Sequence, residues 1–389
     1  MSSFWPTEEQ EAIREAVGRI CADFDDEYWR RTDETGDFPE AFAKAMADGG
    51  WLGVAMPEAF GGAGLGLTEA CHVMQTVAES GAGFSGASAI HLNIFGLMPV
   101  VKFGTLEQKQ RHLPRIIAGE DKACFAVTEP NSGLDTSSLE TRAEKSGNGY
   151  RITGRKIWTT MAQRANKILI IARTTPKDQV AKPMQGLSLF YTDFDRARID
   201  AKPIPKMGRK AVECNMLFIE DLQVPAEDLV GEEGKGFQYL LAGLNPERTL
   251  FGVEAVGLGR AALRKAAAYA NERVVFGRPI GQNQGVQHPL AKAWAELEAA
   301  NLLGFKAAAL FDAGRECGAE ANAAKYLGGE AGFRACESAV LAHGGMGYAK
   351  EYDVERYLRE AMIARIAPVS REMILNFIGE KVLGLPKSY

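Results

Sequence analysis

Apolar residues in the first third of the chain recur with helical spacing. The clearest face is formed, at spacings of 4, 3 and 4 residues, by Ile13, Val17, Ile20 and Phe24. Thr7 and Gln10 stand just before this face with capping-box spacing, which predicts where the first helix begins. The same periodicity predicts further helices over residues 67–80, 86–103 and 106–118. A turn-rich stretch, residues 57–64, interrupts the helical pattern before them.

From about residue 123 the pattern changes to short apolar runs typical of strands. These runs occupy residues 124–128, 139–144, 150–158, 168–172, 187–191 and 215–219. Asn148-Gly149 lies between the second and third runs and favours a hairpin with a type I′ turn. The run at 168–172 is apolar throughout, which predicts a strand covered on both faces. Because no helix separates these strands, we expect a small antiparallel barrel or sandwich.

The last third is helical again. Long segments rich in Ala and Leu predict helices over about 235–274, 285–313, 317–342 and 354–382, which together would form a bundle. The order α, β, α predicts a mainly α protein with a central β-domain. We divide it into an N-terminal helical domain (1–122), a middle β-domain (123–228) and a C-terminal four-helix bundle (229–389).

Charge and composition exclude several classes of protein. The 389 residues include 45 Lys and Arg against 50 Asp and Glu, a net charge of −5, which disfavours a broad nucleic-acid surface. No uncharged apolar run approaches the ~20 residues needed to cross a bilayer. The first 30 residues carry eight acids and three bases, the wrong sign for a leader peptide. We therefore expect a cytoplasmic protein with neither a membrane nor a nucleic acid as partner.

Cysteines and histidines are scattered rather than clustered. The six cysteines form no CxxC pair, so we expect buried, reduced thiols. The five histidines form neither HxxxH nor HExxH, and we expect no metal site.

Four short segments are candidates for chemistry. They are AVTEPNSGLD (126–135), KIWTT (156–160), RVVFG (273–277) followed by Gln284, and HGGMGY (343–348). Each alone has an ordinary structural explanation: a strand-to-loop turn, a core Trp, an Arg favoured by a helix C-terminus, and a tight interhelical turn. The glycines of the last segment follow a helix, so they are not a dinucleotide-binding fingerprint, which follows a strand.

Together, and in this order, the four segments resemble the signatures of the acyl-CoA dehydrogenase family of flavoproteins. The resemblance extends over nearly the whole chain. It implies a helical domain, a β-domain and a four-helix bundle, usually assembled as a homotetramer. It also implies FAD as the cofactor and a place in fatty-acid metabolism.

The resemblance assigns the FAD site residue by residue. The first segment would line the cofactor with Phe125, Val127, Thr128, Gly133 and Leu134. Trp158 would cover the flavin ring, and Thr160 would form a hydrogen bond near flavin N5. A neighbouring subunit would contribute Arg273, Phe276 and Gln284, and the nucleotide end would be approached by Gly344, Gly345 and Ser370. Two positions depart from the family pattern: Leu134 replaces a small hydroxyl residue, and Leu341 replaces a Gln.

The largest departure concerns the catalytic base. Many members carry a Glu about 24 residues beyond the glycine cluster, and that count falls here on Pro368, which cannot accept a proton. In the isovaleryl- and long-chain-type branches the base stands on the first bundle helix, immediately before an Arg. Glu247, followed by Arg248, matches that place. The resemblance thus makes Glu247 the base and puts Arg248 and Pro368 at the substrate.

The implied reaction is the α,β-dehydrogenation of an acyl-CoA thioester to the 2-enoyl-CoA, with hydride to flavin N5 and electrons passed to an electron-transfer flavoprotein. Two alternatives stay open. One is a flavin oxidase or monooxygenase on the same fold, which would react with oxygen. The other is a catalytically impaired acyl-CoA-binding subunit, which the Pro at position 368 suggests.

Overall fold

The N-terminal part of the chain is helical in the computed structural model, which describes residues 6–388. The hydroxyl of Thr7 accepts a hydrogen bond from the Gln10 backbone N–H, and the Gln10 side-chain oxygen accepts one from the Thr7 N–H. The predicted capping box is therefore confirmed. The helices here are α1 (Glu8–Ala22), α2 (Asp26–Thr35), α3 (Glu40–Asp48), α4 (Leu67–Val77), α5 (Gly83–His91), α6 (Met98–Phe103) and α7 (Leu106–Ile117).

The run from α4 to α6 is interrupted more often than its periodicity predicts. A π-helical turn at Ala78–Ala82 separates α4 from α5, and a second at Leu92–Gly96 separates α5 from α6. Gly81 (φ 111°) and Gly83 (φ 60°) end the first stretch in conformations that only glycine adopts freely. Residues Leu67–Phe103 are apolar enough to cross a membrane by composition, but 78% of their most apolar window is buried. Such burial is typical of a core segment.

The middle of the chain forms one curled seven-stranded sheet. Its strands are β1 (Ala123–Ala126), β2 (Arg142–Ser146), β3 (Gly149–Thr160), β4 (Lys167–Arg173), β5 (Leu187–Asp193), β6 (Ile199–Pro203) and β7 (Cys214–Pro225). The order is β1-β4-β2-β3-β7-β6, with β5 paired to β4. The purely antiparallel expectation is wrong, because β1 and β4 pair in parallel. Strand β6 was not predicted, since its last residue, Pro203, reads as a loop residue; a Pro is tolerated there because β6 is an edge strand.

The hairpin between β2 and β3 is displaced by one residue from its prediction. Ser146 pairs with Gly149, so the two loop residues are Gly147 and Asn148. Gly147 has φ 58° at the first loop position, the pattern of a type II′ turn rather than type I′. Asn148 has a Gly on each side, so Gly147-Asn148 and Asn148-Gly149 are both suitable two-residue loops. The sequence alone does not distinguish the two strand registers that they imply.

Strand β4 is buried on both faces, as its apolar run predicts. Ile168 and Ile170 face the interior of the curled sheet, where they pack with Phe190 and Leu217. Leu169 and Ile171 face a second core, shared with α6, α7 and the start of the first bundle helix. This second core joins the β-domain to both helical parts.

The C-terminal part is a bundle whose fourth helix is broken. Its elements are α8 (Gly236–Glu272), β8 (Val274–Val275), β9 (Arg278–Pro279), α9 (Gln284–Asp312), α10 (Gly318–His343), α11 (Val354–Ala361), α12 (Ile363–Ile366) and α13 (Arg371–Phe377). The prediction of one helix over 354–382 is wrong. A linker at 367–370 contains Pro368, which has no N–H to continue a helical ladder. The predicted fold class is confirmed.

Helices α8 and α10 approach each other through glycines. A Cβ on Gly328 would lie 2.4 Å from the carbonyl oxygen of Gly252, and one on Gly332 would lie 2.5 Å from that of Ala255. Backbone lies against backbone at this crossing, so any larger residue would push the helices apart.

We expect Gly328→Ala to lower the free energy of unfolding by about 1–3 kcal/mol, because the added methyl overlaps backbone that cannot move independently. Gly18→Ala is the matched control, since nothing lies within 4 Å of a Cβ at that position in α1. The control should stabilise by about 0.5–1 kcal/mol through helix propensity. Denaturant unfolding of both variants checks this, and equal effects would show that the crossing tolerates separation.

Candidate active site

A cleft lies where the three parts of the chain meet. Its lining comes from the α5–α6 segment, from β1 and from α8. These residues are His91, Leu92, Phe95, Gly96, Pro99, Phe125, Leu240, Gly243 and Glu247. Apart from His91 and Glu247 the lining is apolar or glycine. The chemistry of this lining therefore suits a hydrocarbon chain beside a carboxylate.

Glu247 reaches this cleft from the first half of α8. Burial raises the pKa of its carboxyl group, and the nearby Glu254 acts in the same direction, while His91 and Arg248 oppose them. Arg248 donates to Asn245 Oδ1 at 3.1 Å, and its Nε is buried without a partner. A carboxylate with a raised pKa that faces an apolar cleft is suited to accept a proton from carbon.

Pro368 lies in the linker between α12 and α13, and a buried lysine holds that linker. Lys325 of α10 donates from Nζ to the carbonyl oxygens of Ala364 and Val369, both at 2.7 Å. Burial lowers the pKa of Lys325 to about 8. Ser370, assigned to the nucleotide by resemblance, accepts from the Met373 N–H and so caps α13. Pro368 itself brings neither a titratable group nor an N–H.

A buried ion pair fixes the loop that follows β1. Lys156 of β3 donates from Nζ to Glu129 Oε1 at 2.9 Å and to the Val127 carbonyl oxygen at 3.0 Å. The Glu129 carboxylate also accepts from the backbone N–H groups of Glu140 and Thr141. Burial alone would raise the pKa of Glu129, but Lys156 and these hydrogen bonds hold it below its ordinary value. Two of the sequence segments singled out above are thus joined by one interaction.

Trp158 projects from an irregularity in β3. One extra residue lies between Lys156 and Thr159 in the register with β7, and Trp158 there has φ 60°. Its side chain is 54% exposed, unusual for the largest apolar residue type. A bulge re-aims a side chain, and positive φ at a bulky residue stores strain, so both features point to a binding role.

The β-domain residues assigned to FAD have free surface and free hydrogen-bonding capacity. Thr160, two residues after Trp158, makes one side-chain hydrogen bond among residues 6–388, with Cys214 Sγ at 3.6 Å, which leaves most of the capacity of its hydroxyl unused. Gly133 has open space where a side chain would stand, and Leu134 is exposed. Phe125 and Val127 are only partly buried. The residues assigned to FAD on the β-domain therefore fit the group.

The assigned residues of the bundle lie exposed at the ends of its helices. Arg273 and Phe276 stand on the β8–β9 hairpin, and Phe276 is completely exposed with φ 54°. Gln284 begins α9, and Gly344 and Gly345 follow α10, all exposed. Val274 and Val275 are exposed beside Phe276, and a contiguous exposed apolar patch is typical of a surface that a partner covers.

Two buried lysines and one histidine of the site were missed in the sequence. Lys156 is buried on β3, four residues after Ile152 and therefore in the same alternation, and a charge at such a position signals a buried partner. Lys325 likewise interrupts a buried face of α10. His91 was counted, but no pattern in the sequence indicates that it faces the cleft.

Comparison with known proteins gives matches over nearly the whole chain. Residues 7–120, 124–222 and 234–383 match the models of the N-terminal, middle and C-terminal domains of acyl-CoA dehydrogenase. Acyl-CoA dehydrogenase FadE12 of Mycobacterium tuberculosis is 38% identical in an alignment of 395 positions, gaps included, that covers 100% of this chain and 99% of that protein. Subunit CarC of the caffeyl-CoA reductase–Etf complex of Acetobacterium woodii is 34% identical, over 86% of this chain and 87% of its own.

The same relation appears in three dimensions. Butyryl-CoA dehydrogenase from Megasphaera elsdenii superposes with a TM-score of 0.92 at 28% sequence identity, covering 97% of this chain and 99% of that one.

We expect Lys156→Met to lower the free energy of unfolding by about 3–5 kcal/mol, because it leaves the Glu129 carboxylate buried without its cation. Lys145→Met is the control, since Lys145 pairs with Glu233 at the surface, and it should change stability by less than about 1 kcal/mol. Denaturant titration measures both. The double variant Lys156→Met/Glu129→Gln should recover part of the lost stability. Equal destabilisation by Lys156→Met and by the control Lys145→Met would contradict this role for the buried pair.

Proposed function

The chain belongs to the acyl-CoA dehydrogenase family, and from that premise we propose that it uses Glu247 to remove the α-proton of an acyl-CoA thioester while the β-hydrogen leaves as hydride, yielding the 2-enoyl-CoA. The enzyme is an oxidoreductase of the acyl-CoA dehydrogenase type, and its cofactor is FAD. The observation that carries the proposal is the position of Glu247, a carboxylate of raised pKa in an apolar cleft between the three parts of the chain.

The residues of this chain would divide the work as follows. Bound FAD supplies a two-electron acceptor for the hydride. Trp158 would cover the flavin ring, and Thr160 would donate a hydrogen bond near the accepting nitrogen. The ion pair between Glu129 and Lys156 would hold the loop after β1 against β3, the strand that carries Trp158 and Thr160. Leu240, Phe95 and the other apolar lining residues would exclude water from the acyl chain. Pro368 offers no N–H to the thioester oxygen, so the charge that develops there needs another donor.

The electron acceptor and the assembly complete the proposal. We place an electron-transfer flavoprotein as acceptor because CarC, a relative of similar length, is named as a subunit of a complex with such a protein. A cytoplasmic homotetramer is proposed, in which Arg273, Phe276 and Gln284 reach the FAD of a neighbouring subunit. Their exposure in the single chain supports this arrangement. The position of Glu247 also speaks against an impaired binding subunit.

The direct test is an anaerobic titration with a panel of acyl-CoAs, followed by flavin absorbance. Bleaching that is reversed by an electron-transfer flavoprotein, with little oxygen consumed in air, supports the dehydrogenase. Rapid oxygen consumption would favour the oxidase alternative, and no bleaching with any acyl-CoA would reject the function.

Glu247→Gln should slow flavin reduction by at least ~100-fold, because the amide keeps the size of the side chain and cannot accept the proton. FAD content and acyl-CoA affinity should hardly change. Glu272→Gln, at the exposed end of the same helix, is the control and should reduce at the native rate. Anaerobic stopped-flow absorbance measures both. Near-native reduction by Glu247→Gln would place the base elsewhere.

Arg273→Ala should weaken FAD binding by about 1.5–3 kcal/mol, the scale of a hydrogen bond to a charged group. Arg278→Ala on the same hairpin is the control, because that guanidinium already bonds Asn283 within its own chain. FAD titration of the apoprotein, combined with size-exclusion chromatography, gives affinity and assembly together. A monomer that binds FAD as tightly as the oligomer would overturn the shared site.

A further inference from the structure

The acyl cleft contains one polar group besides Glu247. His91 ends α5 and lines the cleft, and its Nδ1 lies 2.7 Å from Oε1 of Glu254. The Glu254 side chain is completely buried, whereas that of His91 is 12% exposed. A carboxylate fixed against one ring nitrogen sets the orientation of the imidazole and makes Nδ1 the donor of that bond.

The other ring nitrogen is left for the cleft. Within residues 6–388, His91 Nε2 has no hydrogen-bond partner. It remains accessible to solvent, whereas Glu254 Oε2, which also has no partner, is completely buried. Burial alone would lower the pKa of His91, but the carboxylates of Glu254 and Glu247 together offset it and the pKa is raised. When the ring is protonated, Nε2 is a donor.

The donor and the proposed base share one cleft. Leu240, Gly243 and Glu247 line it from α8 at spacings of 3 and 4 residues, on one helical face. Glu254, which holds His91, stands seven residues beyond Glu247, about two turns along the same helix. Glu247 is among the carboxylates that raise the pKa of His91, so the two side chains lie near each other at the cleft.

We propose that His91 Nε2 donates a hydrogen bond to an uncharged oxygen, a hydroxyl or a carbonyl, on the acyl chain, so that the preferred substrates are oxygenated acyl-CoA thioesters. This inference rests on the proposed function, because Glu247 must mark the α-carbon. A hydrocarbon chain bound over Nε2 would displace the water that accepts its hydrogen bond and would offer no acceptor instead. The unpaired donor would weaken the binding of such a substrate.

The charges around His91 favour a neutral oxygen over a carboxylate. The charge of His91 is already matched by Glu254, and Glu247 brings a second carboxylate to the same cleft. Arg248 acts on Glu247 and Arg209 on His91, and neither guanidinium lines the cleft. A carboxylate on the acyl chain would enter an apolar cleft beside the Glu247 carboxylate, whereas a hydroxyl or carbonyl needs only the single free donor.

The test compares matched pairs of substrates. Each saturated acyl-CoA of four to ten carbons is paired with the acyl-CoA of the same length that carries a terminal hydroxyl. Across the series the hydroxyl takes successive positions along the cleft, one carbon apart. Anaerobic flavin reduction gives an efficiency for each. At one or more lengths the hydroxylated member should be at least ~10-fold more efficient, the discrimination expected of one well-placed hydrogen bond. Calorimetric Kd values in the Glu247→Gln enzyme, which binds without turnover, should show the same preference.

Variants identify the donor. His91→Leu should bring the ratio of the two efficiencies to about 1, while His91→Gln, whose amide nitrogen can occupy the place of Nε2, should keep part of the preference. The readout is the ratio and not the absolute rate, because His91 also lowers the pKa of Glu247. Phe95→Leu is the matched control in the same cleft and should shift both members of a pair alike. Should His91→Leu fold poorly, His91→Leu/Glu254→Leu removes the stranded carboxylate. The ratio of the flavin-reduction efficiencies of two substrates, measured on one sample, does not depend on the fraction of the protein that is folded. Partial misfolding of a variant therefore leaves the comparison valid.

The outcomes separate the two levels of the argument. Saturated acyl-CoAs that bleach the flavin as efficiently as their hydroxylated partners at every length would overturn this inference and leave the proposed function standing. A preference that survives His91→Leu, or an equal slowing of both members, would also overturn it. No bleaching by any member would overturn the proposed function and this inference together.

Discussion

Close backbone contact along α8 is the constraint on which the arrangement of the molecule depends. At its start, a Cβ on Gly236 would lie 2.5 Å from the backbone nitrogen of Leu189 in β5, so the helix lies directly on the sheet. Further along, Gly252 meets α10 with the same closeness. One 37-residue helix therefore sets the spacing of the sheet, the cleft and the bundle. Glu247 lies between these two contacts, and its position relative to Phe125 of β1 is fixed by both.

Glu129 and Glu247 are carboxylates of the site whose pKa values shift in opposite directions, and hydrogen bonding accounts for the difference. Glu129 has a lysine ammonium and two backbone N–H groups within hydrogen-bonding distance, and its pKa is lowered. Glu247 receives no hydrogen bond from any residue that the structure describes, and its pKa is raised by burial. The same desolvation acts on both. A fully satisfied carboxylate serves to hold a loop, whereas an unsatisfied one at an open cleft is available for proton transfer.

The sequence carries the periodic features of the fold well and the irregular ones poorly. Capping at Thr7, the doubly buried β4 and the change from helix to strand and back all follow from local patterns. The interruption of the fourth bundle helix has a local cause in Pro368, but the path of the linker depends on the bonds from Lys325, which no spacing reveals. The π turn after His91 has no signal in the helical periodicity. Most of the candidate site came from resemblance to a family. His91 and its partner Glu254 are 163 residues apart, and neither position signals the other.

The placement of the proposed base on a helix has a consequence for the timing of the reaction. A loop-borne carboxylate must await the ordering of its loop in each turnover, a step that often takes microseconds to milliseconds. Glu247 lies on a helix held by close backbone contacts on both sides of it, at Gly236 and Gly252, so its carboxylate needs only side-chain rotation to meet the substrate. Alignment of the bound acyl chain with a fixed carboxylate is then the slower event. A chain that cannot align is discriminated against by a slower chemical step rather than by weaker binding.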